Sequence, residues 1–223
     1  MTSTMKTLAA CAALLALQAA APGLTTASAA DLSERMASTP SPWQLRLRAL
    51  GVITEDNGRV DGIAGSDLSY SDTVVPELDI TYYFTDNLAA ELILGTTYAN
   101  ISGAGSIAGL GTVGKVWLLP PTLTMQYHFT DFGAFKPYLG AGLNYSLFYS
   151  QDAKGPFTDI DVKDTFGVAL QAGFDYMLDD HWGINFDVKK LFLEPKWSAN
   201  DGTVSGKAKL DPWLIGTGVT YRF

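Results

Sequence analysis

Cys11 is the only cysteine in this chain of 223 residues. It lies in an N-terminal segment that the sequence marks for removal, so the mature protein is expected to have neither a thiol nor a disulfide. Basic residues are also few, since 15 Lys and Arg stand against 23 Asp and Glu, for a net charge of −8. A phosphate backbone requires a basic footprint, so this composition argues against binding to nucleic acid.

The sequence has only one long apolar run, and it lies at the N-terminus. Lys6 precedes the uncharged stretch 8–21, and Ala27-Ser28-Ala29 is a small-residue cleavage site. Together they predict a secretory signal peptide over residues 1–29. The polar, proline-containing residues 30–42 are predicted to form a periplasmic N-terminal segment. No later run approaches the roughly 20 apolar residues of a membrane helix.

The C-terminal residues 211–223 alternate with a period of two. One side carries glycine, threonine and Arg222, and the other carries bulky apolar residues, namely Trp213, Ile215, Val219, Tyr221 and Phe223. A strand that ends on an aromatic residue in this way is typical of the closing strand of a bacterial outer-membrane barrel. Phe223 is then the expected contact for the barrel assembly machinery.

Residues 43–223 contain eight segments with strand character, near 43–53, 73–84, 88–98, 114–129, 137–149, 164–178, 182–195 and 211–223. Short turns alternate with four long connections, 54–72, 99–113, 150–163 and 196–210. Outer-membrane barrels have short periplasmic turns and long extracellular loops. The sequence therefore predicts an all-β fold, a closed eight-stranded antiparallel transmembrane barrel in the bacterial outer membrane.

Aromatic residues cluster at both ends of the predicted strands, as expected where rings meet lipid headgroups. The periplasmic belt is predicted to contain Tyr82, Tyr83, Phe84, Tyr127, Phe129, Tyr176, Trp182 and Phe223, and the outer belt Tyr98, Trp117, Tyr149, Phe192 and Trp213. The expected surroundings are outer-membrane lipid and lipopolysaccharide.

The inward positions of the periplasmic half are charged or polar. An eight-stranded barrel has an interior just wide enough for side chains or one small ligand, and charges buried in it must be paired. We predict a periplasmic-side charge plug formed by Arg46, Arg48, Glu77, Asp79, Glu91, His128, Asp175, Asp187 and Arg222.

The inward positions of the outer half are apolar. The predicted hydrophobic lumen consists of Leu50, Val52, Val75, Ile93, Val116, Leu118, Phe148, Leu191 and Leu214. Two interpretations are open: these side chains form a funnel that binds a small apolar molecule, or they pack against folded surface loops.

Two local irregularities interrupt the strand pattern. Pro120 and Pro121 lie within the fourth segment, where proline removes ladder hydrogen bonds. They indicate either a lateral gate toward the bilayer or a bend that curves a small barrel. Lys189 and Lys190 are adjacent and cannot both face inward, so either one of them extends toward the headgroups or a bulge shifts the phase of the strand.

Enzymatic chemistry is not predicted. A barrel enzyme would place a histidine with acid or hydroxyl partners near the outer leaflet. The two histidines, His128 and His181, both lie at predicted periplasmic ends. We predict no catalytic residue, no metal site and no cofactor.

Several segments resemble the outer-membrane protein W (OmpW) family. They are the stretch from Trp117 through Leu-Pro-Pro-Thr to Phe129, Lys136-Pro-Tyr-Leu-Gly-Ala-Gly to Tyr145, residues 171–176, residues 185–188 and the closing strand. The resemblance implies a narrow hydrophobic channel that is open outside and closed toward the periplasm, with passive entry of small apolar compounds and lateral exit into the membrane. The alternative function is a structural or surface-recognition barrel that acts as a receptor or stress-related envelope protein without transport.

Overall fold

The computed structural model describes residues 41–55 and 57–223. The predicted signal peptide, and the predicted N-terminal segment up to residue 40, lie outside the described residues. Within the described part of the chain, no helix is long and apolar enough to cross a bilayer.

The described residues form strands joined by turns and one 3₁₀ helix, Ala108–Leu110. The strands are β1 Trp43–Ile53, β2 Gly58–Val60, β3 Ser66–Tyr70, β4 Thr73–Tyr83, β5 Leu88–Gly95, β6 Thr97–Gly105, β7 Thr112–Leu119, β8 Thr122–His128, β9 Phe135–Ala153, β10 Ile160–Val162, β11 Thr165–Met177, β12 Trp182–Phe192, β13 Lys196–Ala199, β14 Val204–Ala208 and β15 Trp213–Arg222.

Eight of these strands close into an antiparallel barrel in the order β1, β4, β5, β8, β9, β11, β12 and β15, and β15 pairs again with β1. Leu47, for example, lies opposite Leu78 of β4 on one side and Val219 of β15 on the other. Closure leaves no free sheet edge in contact with hydrocarbon. The predicted fold class is confirmed.

The barrel wall shows the two-residue period that the sequence predicts. In β11, Phe166 and Leu170 point outward with 76% and 49% of their surface exposed, whereas Ala169 and Gln171 point inward with 0% and 4% exposed. Large apolar side chains therefore cover the outside, where they face acyl chains, and polar side chains fill the periplasmic half of the lumen.

The four long connections were predicted as loops, and much of each is strand. β3, β6 and β7 extend the barrel wall outward, and β2, β10, β13 and β14 form a second sheet in the order β10-β13-β14-β2. The four strands of the second sheet are short, and apart from the pair of β13 and β14 their partners come from different connections. The alternation of apolar and polar residues within one such segment cannot predict its pairing partner, because each segment is too short for the two-residue period to be recognised.

The third and fourth strands that cross the membrane are each interrupted. β5 and β6 meet at Thr96, and β7 and β8 meet at Pro120 and Pro121. The register is the same on both sides of the interruption, with Ile93 opposite Thr122 below it and Thr97 opposite Leu118 above it. A short gap in the ladder therefore lies between residues 94–96 and 119–121.

Candidate functional site

Eight charged side chains meet in the periplasmic half of the lumen, and each has at most 3% of its surface exposed. This charge cluster consists of Arg46, Arg48, Glu77, Asp79, Glu91, Asp175, Asp187 and Lys189. Strand register brings several of them together, since Arg48 of β1 lies directly opposite Glu77 of β4.

Arg46 forms the lower part of the cluster. Its guanidinium donates two hydrogen bonds to the Asp175 carboxylate, at 3.0 and 2.6 Å, and forms an ion pair with Glu91. Asp175 also accepts hydrogen bonds from Thr220 at 2.6 Å and Asn185 at 2.9 Å. A carboxylate that accepts a bidentate pair of hydrogen bonds from arginine is held in a fixed geometry.

Arg48 and Lys189 form the upper part. Arg48 Nη2 lies 2.6 Å from Asp79 and 2.9 Å from Glu77, and Lys189 Nζ lies 2.7 Å from Glu77. Gln171 connects the two parts, because its amide nitrogen lies 2.9 Å from both Glu91 and Asp187. The cluster therefore spans the lumen as one connected network.

Two residues of the predicted charge plug make no ion pair among the described residues. His128 instead contacts Gln126 at 3.0 Å and Tyr83 at 3.4 Å. Arg222 lies over the Tyr83 ring, 4.1 Å from its centroid. The prediction that placed Tyr83 in the periplasmic belt is wrong, because Tyr83 is 7% exposed and points into the lumen.

The adjacent lysines of β12 point in opposite directions without a bulge. Lys189 enters the charge cluster. Lys190 Nζ lies 2.5 Å from both the Glu55 carboxylate and the Asp211 carbonyl, and 4.9 Å from the centroid of the Trp213 ring. The Lys190 ammonium hydrogen bond lowers the pKa of the exposed Glu55. Lys189 is absent from the predicted charge plug, although the unbroken alternation from Asn185 to Leu191 places it inside.

A cavity lies directly above the charge cluster. Its walls are mostly apolar, and among the described residues that line it only Glu77 and Lys189 are charged. Seven of the nine predicted lumen residues line this lumen cavity: Leu50, Val52, Val75, Ile93, Leu118, Leu191 and Leu214.

A second cavity lies among the extracellular strands. Only apolar and aromatic residues line this outer cavity, including Leu118 and the other two predicted lumen residues, Val116 and Phe148. Three residues line both cavities: Ala99, Leu118 and Leu210. These three residues, here called the neck, therefore lie where the two cavities adjoin.

The gap in the barrel wall adjoins the lumen cavity, since Gly95, Thr96 and Pro120 are among its lining residues. On the inner side, buried Asn144 donates to the Pro120 carbonyl at 3.0 Å and to Thr122 at 2.7 Å. On the outer side, the Thr96 hydroxyl lies 2.5 Å from the Tyr149 hydroxyl. The proline carbonyls are thus bonded to β9, while side-chain contacts of Thr96 cross the gap. Asn144 was not predicted, although it lies in one of the family-like segments.

Comparison with known proteins agrees with this architecture. The OmpW family model matches residues 44–223. The outer-membrane protein y4mB of Sinorhizobium fredii is 65% identical over 215 residues, which is 95% of this chain and 93% of that protein. PahQ of Pseudomonas aeruginosa, a dibenzothiophene metabolism operon protein, is 28% identical over 191 residues, 82% of this chain and 89% of its own.

Among solved structures, the crystal structure of the outer-membrane protein OprG from Pseudomonas aeruginosa matches with a TM-score of 0.75 and 26% identity, covering 82% of this chain and 97% of OprG. These likenesses place the protein in the bacterial outer membrane, which it crosses with strands. The resemblance noted in the sequence is confirmed, and the chain belongs to the OmpW family of outer-membrane proteins.

Proposed function

We propose that this barrel takes up small hydrophobic molecules passively through the outer and lumen cavities. The observation that carries the proposal is that Ala99, Leu118 and Leu210 line both apolar cavities, so the two spaces are adjacent. In the proposed route, a molecule passes this neck from the extracellular strands into the lumen. Water and ions gain nothing from such a lining. An apolar molecule gains roughly 25 cal/mol for each Å² of its surface removed from water.

The charge cluster supports this function by closing the periplasmic end of the route. Its members are buried and connected, so an apolar molecule would have to break ion pairs to pass them, and removing one partner of a buried pair costs about 3–5 kcal/mol. The lumen cavity therefore ends at the pair of Glu77 and Lys189.

We propose that molecules leave sideways, through the gap between residues 94–96 and 119–121. Gly95, Thr96 and Pro120 line the lumen cavity, and the prolines cannot donate hydrogen bonds across the gap. An apolar molecule that leaves there enters the bilayer without crossing water.

The printed name of one relative agrees with an apolar cargo. PahQ belongs to an operon for the metabolism of dibenzothiophene, a fused-ring, uncharged compound. The proposed function requires no cofactor, no metal and no catalytic residue. Its expected partners are small apolar molecules and the surrounding lipid and lipopolysaccharide, with Phe223 as the contact for barrel assembly.

Uptake into proteoliposomes tests the proposal. An apolar solute should enter faster through the barrel than a polar solute of equal size. Leu118→Asp should abolish that advantage by placing a charge in the neck, whereas Leu118→Met, which keeps an apolar side chain of similar volume, should retain it. Equal entry of both solutes would contradict the proposal and favour the alternative, a structural or surface-recognition barrel.

A further inference from the structure

Four basic residues lie in one row across the second sheet, which is formed by β10, β13, β14 and β2 on the extracellular side. Lys196 of β13 is directly opposite Lys207 of β14, and Lys207 is directly opposite Arg59 of β2. Lys163 follows β10 and donates its backbone N–H to the Lys196 carbonyl at 2.9 Å, which continues the row. We call Lys163, Lys196, Lys207 and Arg59 the cation row.

The side chains of the cation row point away from the barrel interior. Residues directly opposite each other in a sheet share a face, and all four side chains are exposed. Their neighbours Val60, Val162 and Ala208 are buried on the other face, where they line the outer cavity. One face of this sheet is thus an apolar cavity wall, and the other is a basic outer surface.

The two residues at the ends of the cation row pair with aspartates, whereas the two at its centre have no ion-pair partner in the described part of the chain. Lys163 forms an ion pair with Asp161, and Arg59 lies 3.6 Å from Asp61. Lys196 and Lys207 form no ion pair among the described residues, although Glu194 borders the same shallow groove as Lys207 and Arg59. Lys209 also borders this groove and lies 3.5 Å from Asp211.

Such a row is unfavourable for the isolated fold, because like charges directly opposite each other in a sheet destabilise it. It also stands out in a chain whose net charge is −8. An external anion that bridges Lys196 and Lys207 would remove this repulsion.

The position of the row identifies the anion. Lys207 is six residues from Trp213 of the outer belt, a span of at most about 20 Å at the rise of a β-strand. The row therefore lies within about 20 Å of the outer belt, a range that includes the phosphate groups on the sugars of lipopolysaccharide. We infer that the cation row is a binding site for the phosphate groups of lipopolysaccharide, with Lys196 and Lys207 as the principal contacts.

The inference depends on the outer-membrane location and not on uptake, so the two proposals can fail separately. The test uses the mature barrel in detergent micelles, titrated with purified phosphorylated lipopolysaccharide. The double variant Lys196→Gln/Lys207→Gln should bind it about tenfold more weakly, as expected for the loss of two exposed charge pairs. Raising the salt concentration should reduce this difference.

The control variant is Lys136→Gln/Lys154→Gln, which removes the same charge from the periplasmic hairpin and from another extracellular connection. It should bind as the unmodified barrel does, and heat-modifiable migration on gels reports folding of both variants. Dephosphorylated lipopolysaccharide should not distinguish the variants, and inorganic phosphate at the same concentration should not compete. Equal lipopolysaccharide binding by both double variants, or a row-dependent preference for a sulfated glycan over lipopolysaccharide, would overturn the inference.

Discussion

Lys189 Nζ lies 2.7 Å from the Glu77 carboxylate, and this pair is the boundary between the charge cluster and the lumen cavity. Lys189 and its neighbour Lys190 provide a matched comparison. One is buried in the lumen, and the other forms a half-exposed pair with Glu55 on the outer surface.

Lys189→Met should destabilise the barrel by about 3–5 kcal/mol, because it removes one cation from a buried network and leaves Glu77 and Asp187 to share the Arg48 guanidinium. Lys190→Met should cost less, about 1–2 kcal/mol, because its partner Glu55 is 44% exposed and returns to water, while the contact with the Asp211 carbonyl is also lost. Urea titration of the barrel refolded in lipid vesicles measures both values. Similar costs for the two variants would mean that Lys189 is not part of a buried network.

The double variant Lys189→Met/Glu77→Gln should recover part of the stability lost in Lys189→Met. Removing both charges leaves no unpaired ion at this position, although Arg48 then loses one of its carboxylate partners. A double-mutant cycle gives the coupling energy directly. A coupling energy near zero would show that the two side chains act independently.

The gap in the barrel wall can be closed with a disulfide. The register of the flanking pairs, extended across the gap, places Thr96 opposite Leu119. The Thr96 hydroxyl donates to the Leu118 carbonyl at 3.3 Å, so the two strands lie close together at this point. Because Cys11 is the only cysteine, a chain that begins at residue 30 has no competing thiol. Oxidised Thr96→Cys/Leu119→Cys should stop transfer of an apolar solute into the bilayer, and reduction should restore it.

The matched control for the disulfide is Ala90→Cys/Met125→Cys, a directly opposed pair in the same two walls below the gap. Its oxidation should leave transfer unchanged. If oxidation of the upper pair also has no effect, molecules do not leave through this gap.

The neck should be sensitive to volume. Ala99→Trp places a large ring where the outer and lumen cavities meet and should block most of the uptake of an apolar solute while the barrel stays folded. Ala90→Trp, on the lipid-facing side of β5, adds the same ring outside the route and should leave uptake unchanged. Initial uptake rates at equal amounts of folded protein measure the difference.

The sequence predicts the barrel well because its strands are long enough to show the two-residue period. The predicted segment 182–195 agrees with β12, and simple alternation from Asn185 places Lys189 inside. The predicted charge plug omits Lys189 because two adjacent lysines suggest an irregularity that the strand does not have. Tyr83 was misplaced for a similar reason: an aromatic residue at a strand end was assigned to a belt, although its phase is inward.

The sequence does not predict the parts that depend on distant pairing. The cation row requires four segments from three connections to align, and no local pattern specifies that register. Pro120 and Pro121 show that the fourth wall is interrupted, but the sequence does not show that Asn144 of β9 holds their carbonyls. The outer cavity likewise depends on Trp197 and Phe157, which lie in segments predicted as loops.

The most direct test of the account is the position of a bound apolar molecule. Crystals of the barrel grown with a bromoalkane would show the bromine by anomalous diffraction. The account predicts bromine at the neck, within contact of Ala99, Leu118 and Leu210, and loss of that signal in Leu118→Asp. Bromine found only on the lipid-facing surface would contradict it.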